Sequence, residues 1–429
     1  MSERYARSDA LLRRAERLIP LGSQTFSKSR VQLPVGRAPM FLSRGRGGRV
    51  WDVDGNEYVD MICGLLPVVL GYGDPDVDAA VREQLDRGIS FSLATELEAE
   101  VAERLVEIIP CAEMVRFGKN GSDATSGAVR LARAVTGRDR IAAGGYHGWH
   151  DWYIGATARS RGVPKAVGEL THRFPYGDLD ALRKVLKAHP GEFAAVIMEP
   201  MSSVEPPEGY LQEVAALARA EGALFILDEI ITGFRYSLGG AQELFGVTPD
   251  LACFGKSMAN GMPIAALVGK AEYMRLLEEL FFSFTFGGEA LSLAASRAVI
   301  DKMRTQPVIE TLWRTGRELS AAAQGAVERH GLGEVMGMGG LAPWRLWKFR
   351  PHASADEHEI KTFFMIGMMR RGVLINASHN VCYAHAPEDL AVVEAAYDAV
   401  LADLRAALDA GDLRQRLDGP AVRPVFTVR

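Results

Sequence analysis

Two short apolar runs end in residues able to do chemistry: Leu224–Leu227 runs into Asp228 and Glu229, and Leu251–Phe254 is followed by Gly255 and Lys256. In an open α/β sheet, ligands bind just outside the carboxyl ends of the strands. A carboxylate pair placed there should meet something positive, although Asp and Glu also favour the first turn of a helix and read equally as a cap. A lysine is usually a solvated surface charge. Lys256, however, sits between Gly255 and a Gly/Pro-containing loop with little apolar periodicity, where packing explains it poorly. A lysine that forms a Schiff base and an aspartate that keeps a pyridinium nitrogen protonated are the two groups that pyridoxal-5′-phosphate (PLP) chemistry requires.

A third piece would bind phosphate. Phe117-Gly118-Lys119-Asn120-Gly121-Ser122-Asp123 leads from an apolar run directly into a helical pattern. The unpaired N–H groups of such a helix start, with its dipole, attract anions; alone, a Gly-Ser there is also a plain cap. Beyond the next apolar run, Tyr146-His147-Gly148 supplies a ring that could stack on a pyridine, or a core tyrosine.

These residues need a sheet to hold them. From about residue 75, helical patterns alternate with apolar strands: Val77–Asp86, Glu96–Ile108, Met114–Phe117, Ala124–Ala134, Arg140–Ala143, Leu179–Ala188, Ala194–Met198, Leu211–Glu221, Leu224–Leu227 and Leu251–Phe254. That alternation predicts crossovers and a mainly parallel sheet buried on both faces, an α/β fold. Before it, residues 4–18 carry an amphipathic pattern, and Ala38–Asp60 reads as short strands with a hairpin at Asp54-Gly55. After it, Val308–Arg329, Glu357–Arg371 and Pro387–Ala410 read as helices around a strand-like Val373–Ile375. The chain thus divides at 1–65, 66–310 and 311–429, the central part being the large domain and the end segments forming a smaller α+β domain.

The bulk numbers agree with an enzyme of small molecules. The 429 residues are 48% hydrophobic and 24% charged, near globular averages, with a net charge of −5 and both signs interleaved. Such a surface offers no basic stripe for nucleic acid and no polybasic membrane anchor. The four cysteines lie far apart, without CxxC spacing, and read as buried reduced thiols; no metal site is expected. No stretch has the pattern of a signal peptide or a membrane span, which predicts a cytoplasmic protein.

Taken together and in this order, GSDATSGAVRLARAVTGRDRI, GYHGWHD, AAVIMEP, LFILDEIITGFR and FGKSMANGMPIAALVG resemble the fold-type I, class III aminotransferases, nearest the glutamate-1-semialdehyde aminomutase branch. The resemblance covers almost the whole chain. It implies that Lys256 forms the Schiff base with PLP, Asp228 pairs with the pyridinium nitrogen, and Tyr146 and Ile230 cover the two ring faces. Gly121 and Ser122 would bind the phosphate, with His147 and Glu199 near the cofactor. Thr285 matches a position that reaches the phosphate in the neighbouring subunit, implying a homodimer with shared sites. The implied reaction is ping-pong amino transfer from an amino-acid donor, glutamate above all, to an aldehyde or ketone.

The sequence departs from the aminomutases in two places. Where they carry an SPVR-like segment whose arginine grips a carboxylate, this chain has Gly22-Ser23-Gln24-Thr25-Phe26-Ser27-Lys28, and their SGNP is replaced by Gly287-Gly288-Glu289-Ala290. Lysine does not substitute for a bidentate arginine; Lys28 and Arg235 remain candidates for a donor carboxylate. Trp149, His150, Trp152 and Tyr153 suggest a pocket that stacks on a sugar ring, or else ordinary packing. KNGSDA, GYHGW and MANGMPIAA are similar to segments of sugar transaminases, including those that aminate the 6′ carbon of gentamicin- and neomycin-type aminoglycosides. That similarity points to antibiotic biosynthesis. An aminomutase, another amino-acid PLP enzyme, or a non-catalytic PLP-fold binding protein are the alternatives.

Overall fold

The computed structural model describes residues 3–201 and 203–423. The chain forms two compact units, one of Leu66–Val69 and Pro75–Ile309, the other of the described residues up to Leu65, Leu70–Asp74 and those from Glu310 on.

The terminal unit begins with a helix, Ala6–Glu16, that buries Ser8, Asp9 and Leu12. Strands β1 (Leu42–Arg46), β2 (Arg49–Asp52) and β3 (Glu57–Asp60) follow as an antiparallel meander. The expected hairpin forms, with a looser turn than Asp54-Gly55 alone implies. Asp52 Oδ1 accepts from Asp54 N at 3.0 Å and Asn56 N at 2.8 Å, so Val53 to Asn56 all belong to the loop.

The central unit holds a seven-stranded sheet. Its members are β4 (Met114–Gly118), β5 (Arg140–Gly144), β6 (Thr171–Arg173), β7 (Phe193–Met198), β8 (Leu224–Asp228), β9 (Leu251–Phe254) and β10 (Ala265–Gly269), in the order β4-β10-β9-β8-β7-β5-β6. All run parallel except β10, which pairs antiparallel with both β4 and β9. The alternating pattern thus anticipated five of the six parallel strands, whereas the parallel β6 and the antiparallel β10 were not expected. Six consecutive buried residues in β7 show why its sequence is an unbroken apolar run: helices cover both faces. The helix Gly121–Thr136 packs Ala124, Ala128 and Leu131 into the same core as Ile141, Ile197, Ile226 and Leu267. It is capped at both ends, by the reciprocal Asn120–Asp123 box and by Gly137 at φ +67°.

The last strands return to the terminal unit. β11 (Met336–Gly339), β12 (Trp344–Phe349) and β14 (Ser378–Asn380) form a second small sheet, and β13 (Val373–Leu374) adds parallel to β3. The helices Val308–Arg329, Glu357–Arg370 and Pro387–Ala410 match the apolar periodicity of the sequence.

Candidate active site

The carboxyl ends of five strands converge on the residues that the sequence singles out. β8 delivers Asp228, β9 delivers Gly255 and Lys256, β5 delivers Gly145, Tyr146 and His147, β7 delivers Glu199, and β4 leads into Gly121 and Ser122. Asp228 lies opposite Cys253 in the β8–β9 register, so Asp228 and Lys256 emerge at adjacent strand ends. Lys256 opens a 3-10 turn, Lys256–Ala259, at φ +40°, a backbone conformation that L-residues adopt at a cost.

Asp228 is 4% exposed, and its carboxylate is oriented from two sides. Its Oδ1 accepts from Ile230 N at 3.2 Å and its Oδ2 contacts His147 Nδ1 at 2.8 Å. The carboxylate acceptor places the imidazole proton on Nδ1. His147 is fully buried in turn, its ring stacked parallel to Trp152 at 6.1 Å and edge-on to Tyr153 at 5.3 Å. Trp152 Nε1 donates to Ser126 Oγ, Ser126 Oγ meets His150 Nδ1 at 2.6 Å, and Tyr153 OH donates to Gly145 O at 2.6 Å. These bonds correct the expectation of an aromatic substrate face. Trp152 and Tyr153 stand behind His147 as packing, His150 is tied to the helix that starts at Gly121, and of the four only Trp149, 67% exposed, faces solvent.

The adjacent acid has a different task. Glu229 is buried and accepts from Thr232 Oγ1, Ala241 N and Gln242 N, the last two at the start of the helix Ala241–Phe245. Burial raises its pKa, and those hydrogen bonds oppose the rise. The two readings of the Asp-Glu pair therefore divide between its members: Asp228 faces the site and Glu229 caps.

Around Gly121, Gly145 and Gly148 the backbone leaves room that side chains would close. A Cβ on Gly121 would lie 2.5 Å from Ile230 Cδ1, one on Gly148 2.2 Å from Ser122 Oγ, and one on Gly145 2.6 Å from Glu199 Oε2. Ser122 Oγ accepts from Trp149 N at 3.3 Å, and Glu199 Oε2 accepts from Tyr146 N at 2.9 Å. Asp123 Oδ2 takes the N–H groups of Lys119 and Asn120, which fixes the turn into the helix. A helix start of this kind can hold an anionic group on its N–H donors.

Two features were not anticipated. Lys119 Nζ forms a half-buried ion pair with Glu289 Oε2 at 2.9 Å, and Glu289 also caps the helix Ala290–Thr305 through Leu291 N and Ser292 N. Glu289 thus replaces the family's SGNP segment with a cap, a role legible from an acid directly before an apolar helix. The His147–Asp228 contact spans 81 residues and has no local signature. Arg235, expected as a donor-carboxylate binder, is 0% exposed, with Nη2 donating to Leu66 O at 2.8 Å and contacting Ser257 Oγ at 3.4 Å. That enclosure corrects the expectation: the guanidinium braces the residues beside Lys256. Lys28 belongs to the other unit and is exposed, and Thr285 is exposed on the turn before Ala290–Thr305.

The donor set fits PLP. A buried carboxylate for a pyridinium, a lysine at the neighbouring strand end, and a cradle that a Cβ would fill are present together, and His147 Nε2 is buried without a partner among the described residues. Among those residues no helix is long and apolar enough to cross a membrane. The aminotransferase class-III family matches residues 32–408. The 3-aminobutyryl-CoA aminotransferase of Cloacimonas acidaminovorans is 39% identical over 413 residues, covering 94% of this chain and 98% of that one. A glutamate-1-semialdehyde 2,1-aminomutase of Roseiflexus castenholzii is 40% identical over 338 residues, 75% of this chain and 77% of its own. Among solved structures, the FumI protein of Sphingopyxis sp. MTA144, in its PLP internal aldimine form, superposes with a TM-score of 0.89 at 29% identity, covering 96% of this chain and 100% of that one. The chain belongs to the class-III aminotransferases, with the fold-type I α/β architecture of that family, and is a PLP-dependent transaminase.

Proposed function

We propose that the protein transfers an amino group from glutamate to the aldehyde of a 6′-oxo aminoglycoside or related amino sugar, in the cytoplasm and as a homodimer with shared sites. The observation that carries the amino-transfer core is the buried Asp228, held at the end of β8 by His147 and by Ile230 N.

Each residue has a defined task in this reading. Lys256 Nζ would hold the cofactor and, when free, would move the proton at the substrate carbon bearing nitrogen. Asp228 would hold a proton on the pyridine nitrogen, with His147 keeping that carboxylate in place. Tyr146 and Ile230 would cover the ring, Gly121 and Ser122 would donate to the phosphate, and Glu199 accepts from the Tyr146 backbone N–H. When bound, PLP supplies an electron sink conjugated with the amine nitrogen. Thr285 would complete the phosphate site of a second copy; its chain neighbours Phe281, Phe284 and Phe286 are exposed at 83%, 36% and 58%. Apolar surface of this kind marks an interface.

The sugar acceptor rests on Trp149, whose exposed indole offers a face to a polyhydroxylated ring. A second reading has its own support. The likeness to a 3-aminobutyryl-CoA aminotransferase over nearly the full length favours a β-amino acyl thioester. Lys28 in place of a bidentate arginine speaks against the aminomutase reaction.

The test charges the holoenzyme with glutamate, removes the excess, and offers three acceptors separately: a 6′-oxo aminoglycoside, 3-oxobutyryl-CoA and glutamate-1-semialdehyde. Regeneration of the starting cofactor spectrum by the aminoglycoside alone supports the proposal. Turnover of the thioester or the semialdehyde without the aminoglycoside refutes the acceptor while leaving amino transfer intact.

A further inference from the structure

We propose that Cys63, Cys382 and His385 form a buried site for a thiophilic divalent cation, zinc foremost, within the terminal unit and separate from the transaminase chemistry. The two strand ends that carry these residues are bonded to each other. Past β3, Met61 O accepts from Asn380 N at 3.0 Å and Ile62 O from Asn380 Nδ2 at 2.7 Å. Cys63 Sγ in turn contacts Asn380 O at 2.9 Å and Asp60 O at 3.2 Å. Past β14, a tight turn brings His385 N to Cys382 O at 3.2 Å and His385 Nδ1 to Cys382 N at 3.1 Å. One ligand atom from each of the three residues lies within 4.8 Å of the others, at exposures of 1%, 1% and 6%.

Two sulfurs and an imidazole are a donor set for zinc, with Zn–S near ~2.3 Å and Zn–N near ~2.0 Å, so the three groups need only close slightly around the ion. The outer contacts suit that role. His385 Nε2 lies 3.2 Å from Asp60 O, a backbone partner of the kind that orients a metal-binding histidine, and the Nδ1 lone pair, which accepts from Cys382 N, would turn from that N–H to the ion. Asp60 is itself fixed by Tyr72 OH at 2.6 Å and Ile62 N at 2.8 Å. Cys63 opens a run of positive φ through Leu66, at +48°, +66°, +80° and +84°. Three of these residues carry side chains, at ~1–2 kcal/mol each, so the turn benefits from an anchor. On binding, each thiol loses a proton to solvent, and the two thiolates neutralise the dication with no change of oxidation state. The fourth position falls to a water or to a backbone oxygen beside Cys63 Sγ.

The test uses tag-free holoenzyme purified under reducing conditions and dialysed against metal-free buffer. Elemental analysis should find about one zinc per chain, dropping roughly tenfold in Cys63→Ser and in Cys382→Ser and unchanged in Cys111→Ser. Zinc K-edge X-ray absorption of the wild type should show two sulfur ligands at about 2.3 Å, a readout that stands even where a variant does not fold. Three outcomes overturn the proposal: wild type that neither carries zinc nor takes it up after chelator treatment, zinc retained in both serine variants, or a thiol count under denaturing, non-reducing conditions that reveals a Cys63–Cys382 disulfide.

Discussion

Gly148→Ala tests the anionic cradle directly, and Gly162→Ala is its control. Both glycines lie at positive φ, +102° and +95°, where an alanine costs about 1–2 kcal/mol of backbone strain. They differ in surroundings: a Cβ on Gly162 meets nothing within 4 Å, whereas one on Gly148 lies 2.2 Å from Ser122 Oγ, 2.9 Å from its Cβ and 3.2 Å from its Cα. Ser122 is 8% exposed and begins a helix fixed by the Asn120–Asp123 box, so it cannot yield by a simple rotation into solvent. If Ser122 binds the phosphate, moving it sacrifices a hydrogen bond to a charged group, about 1.5–3 kcal/mol, which is roughly 10- to 150-fold in PLP dissociation constant. Both variants should melt below wild type, Gly162→Ala by a few degrees and Gly148→Ala by more, because it adds the displacement of Ser122 to the same backbone cost. Only Gly148→Ala should bind PLP more weakly when apoprotein is titrated and the cofactor absorbance followed. If Gly148→Ala binds PLP within about twofold of wild type while destabilised at least as much as Gly162→Ala, Ser122 is not a phosphate ligand and the cradle is misassigned.

His147→Leu removes the donor to Asp228 Oδ2, and amino transfer should fall about 10- to 100-fold in kcat; His147→Asn, whose Nδ2 can occupy the Nδ1 position, should recover most of it. Glu229→Gln sets an amide NH2 against the N–H of either Ala241 or Gln242, leaving one oxygen for the other, and should cost about 1–3 kcal/mol in denaturant unfolding while leaving the half-reaction with glutamate unchanged. Burial, then Arg345 and His385, depress His379 to about 3. The unfolded chain therefore takes that proton first, and stability falls as pH drops below roughly 6.5. The loss is about 2 kcal/mol between pH 7 and pH 5, and a His379→Gln variant should lack that component.

Local signals were legible, and tertiary ones were not. Leu224–Asp228 and Leu251–Phe254 read as strands because an apolar run buried on both faces has no other economical place, and both chemical residues followed from where such strands end. Thr171–Arg173 and Ala265–Gly269 were missed for opposite reasons: the first is short and polar, and the second follows the lysine loop, where a parallel pattern predicts a helix rather than an antiparallel insertion between β9 and β4. The aromatic cluster misled because stacking on a sugar and packing behind a histidine call for the same residue types. Only the bonds from Trp152 and Tyr153 to Ser126 and Gly145 separate the two. Arg235 shows the same limit, since a buried guanidinium looks in sequence like an exposed one.

Those bonds also explain why the site keeps so many residues that never reach the substrate. A carboxylate meant to face a ring nitrogen must resist two alternatives, solvation by water and rotation away from the ring. Burial at 4% exposure denies it water, and the contact with His147 denies it rotation. His147 can perform that task only if its own ring is immobile, which the parallel Trp152 and the perpendicular Tyr153 ensure from two directions. Thr125 Oγ1 donates to His147 O at 2.9 Å, tying the same residue to the helix that forms the cradle. The cradle and the carboxylate are therefore positioned by one connected set of contacts. A change that loosens Trp152 should lower cofactor affinity and proton transfer together, and such paired losses would distinguish it from a change at Ser122 alone.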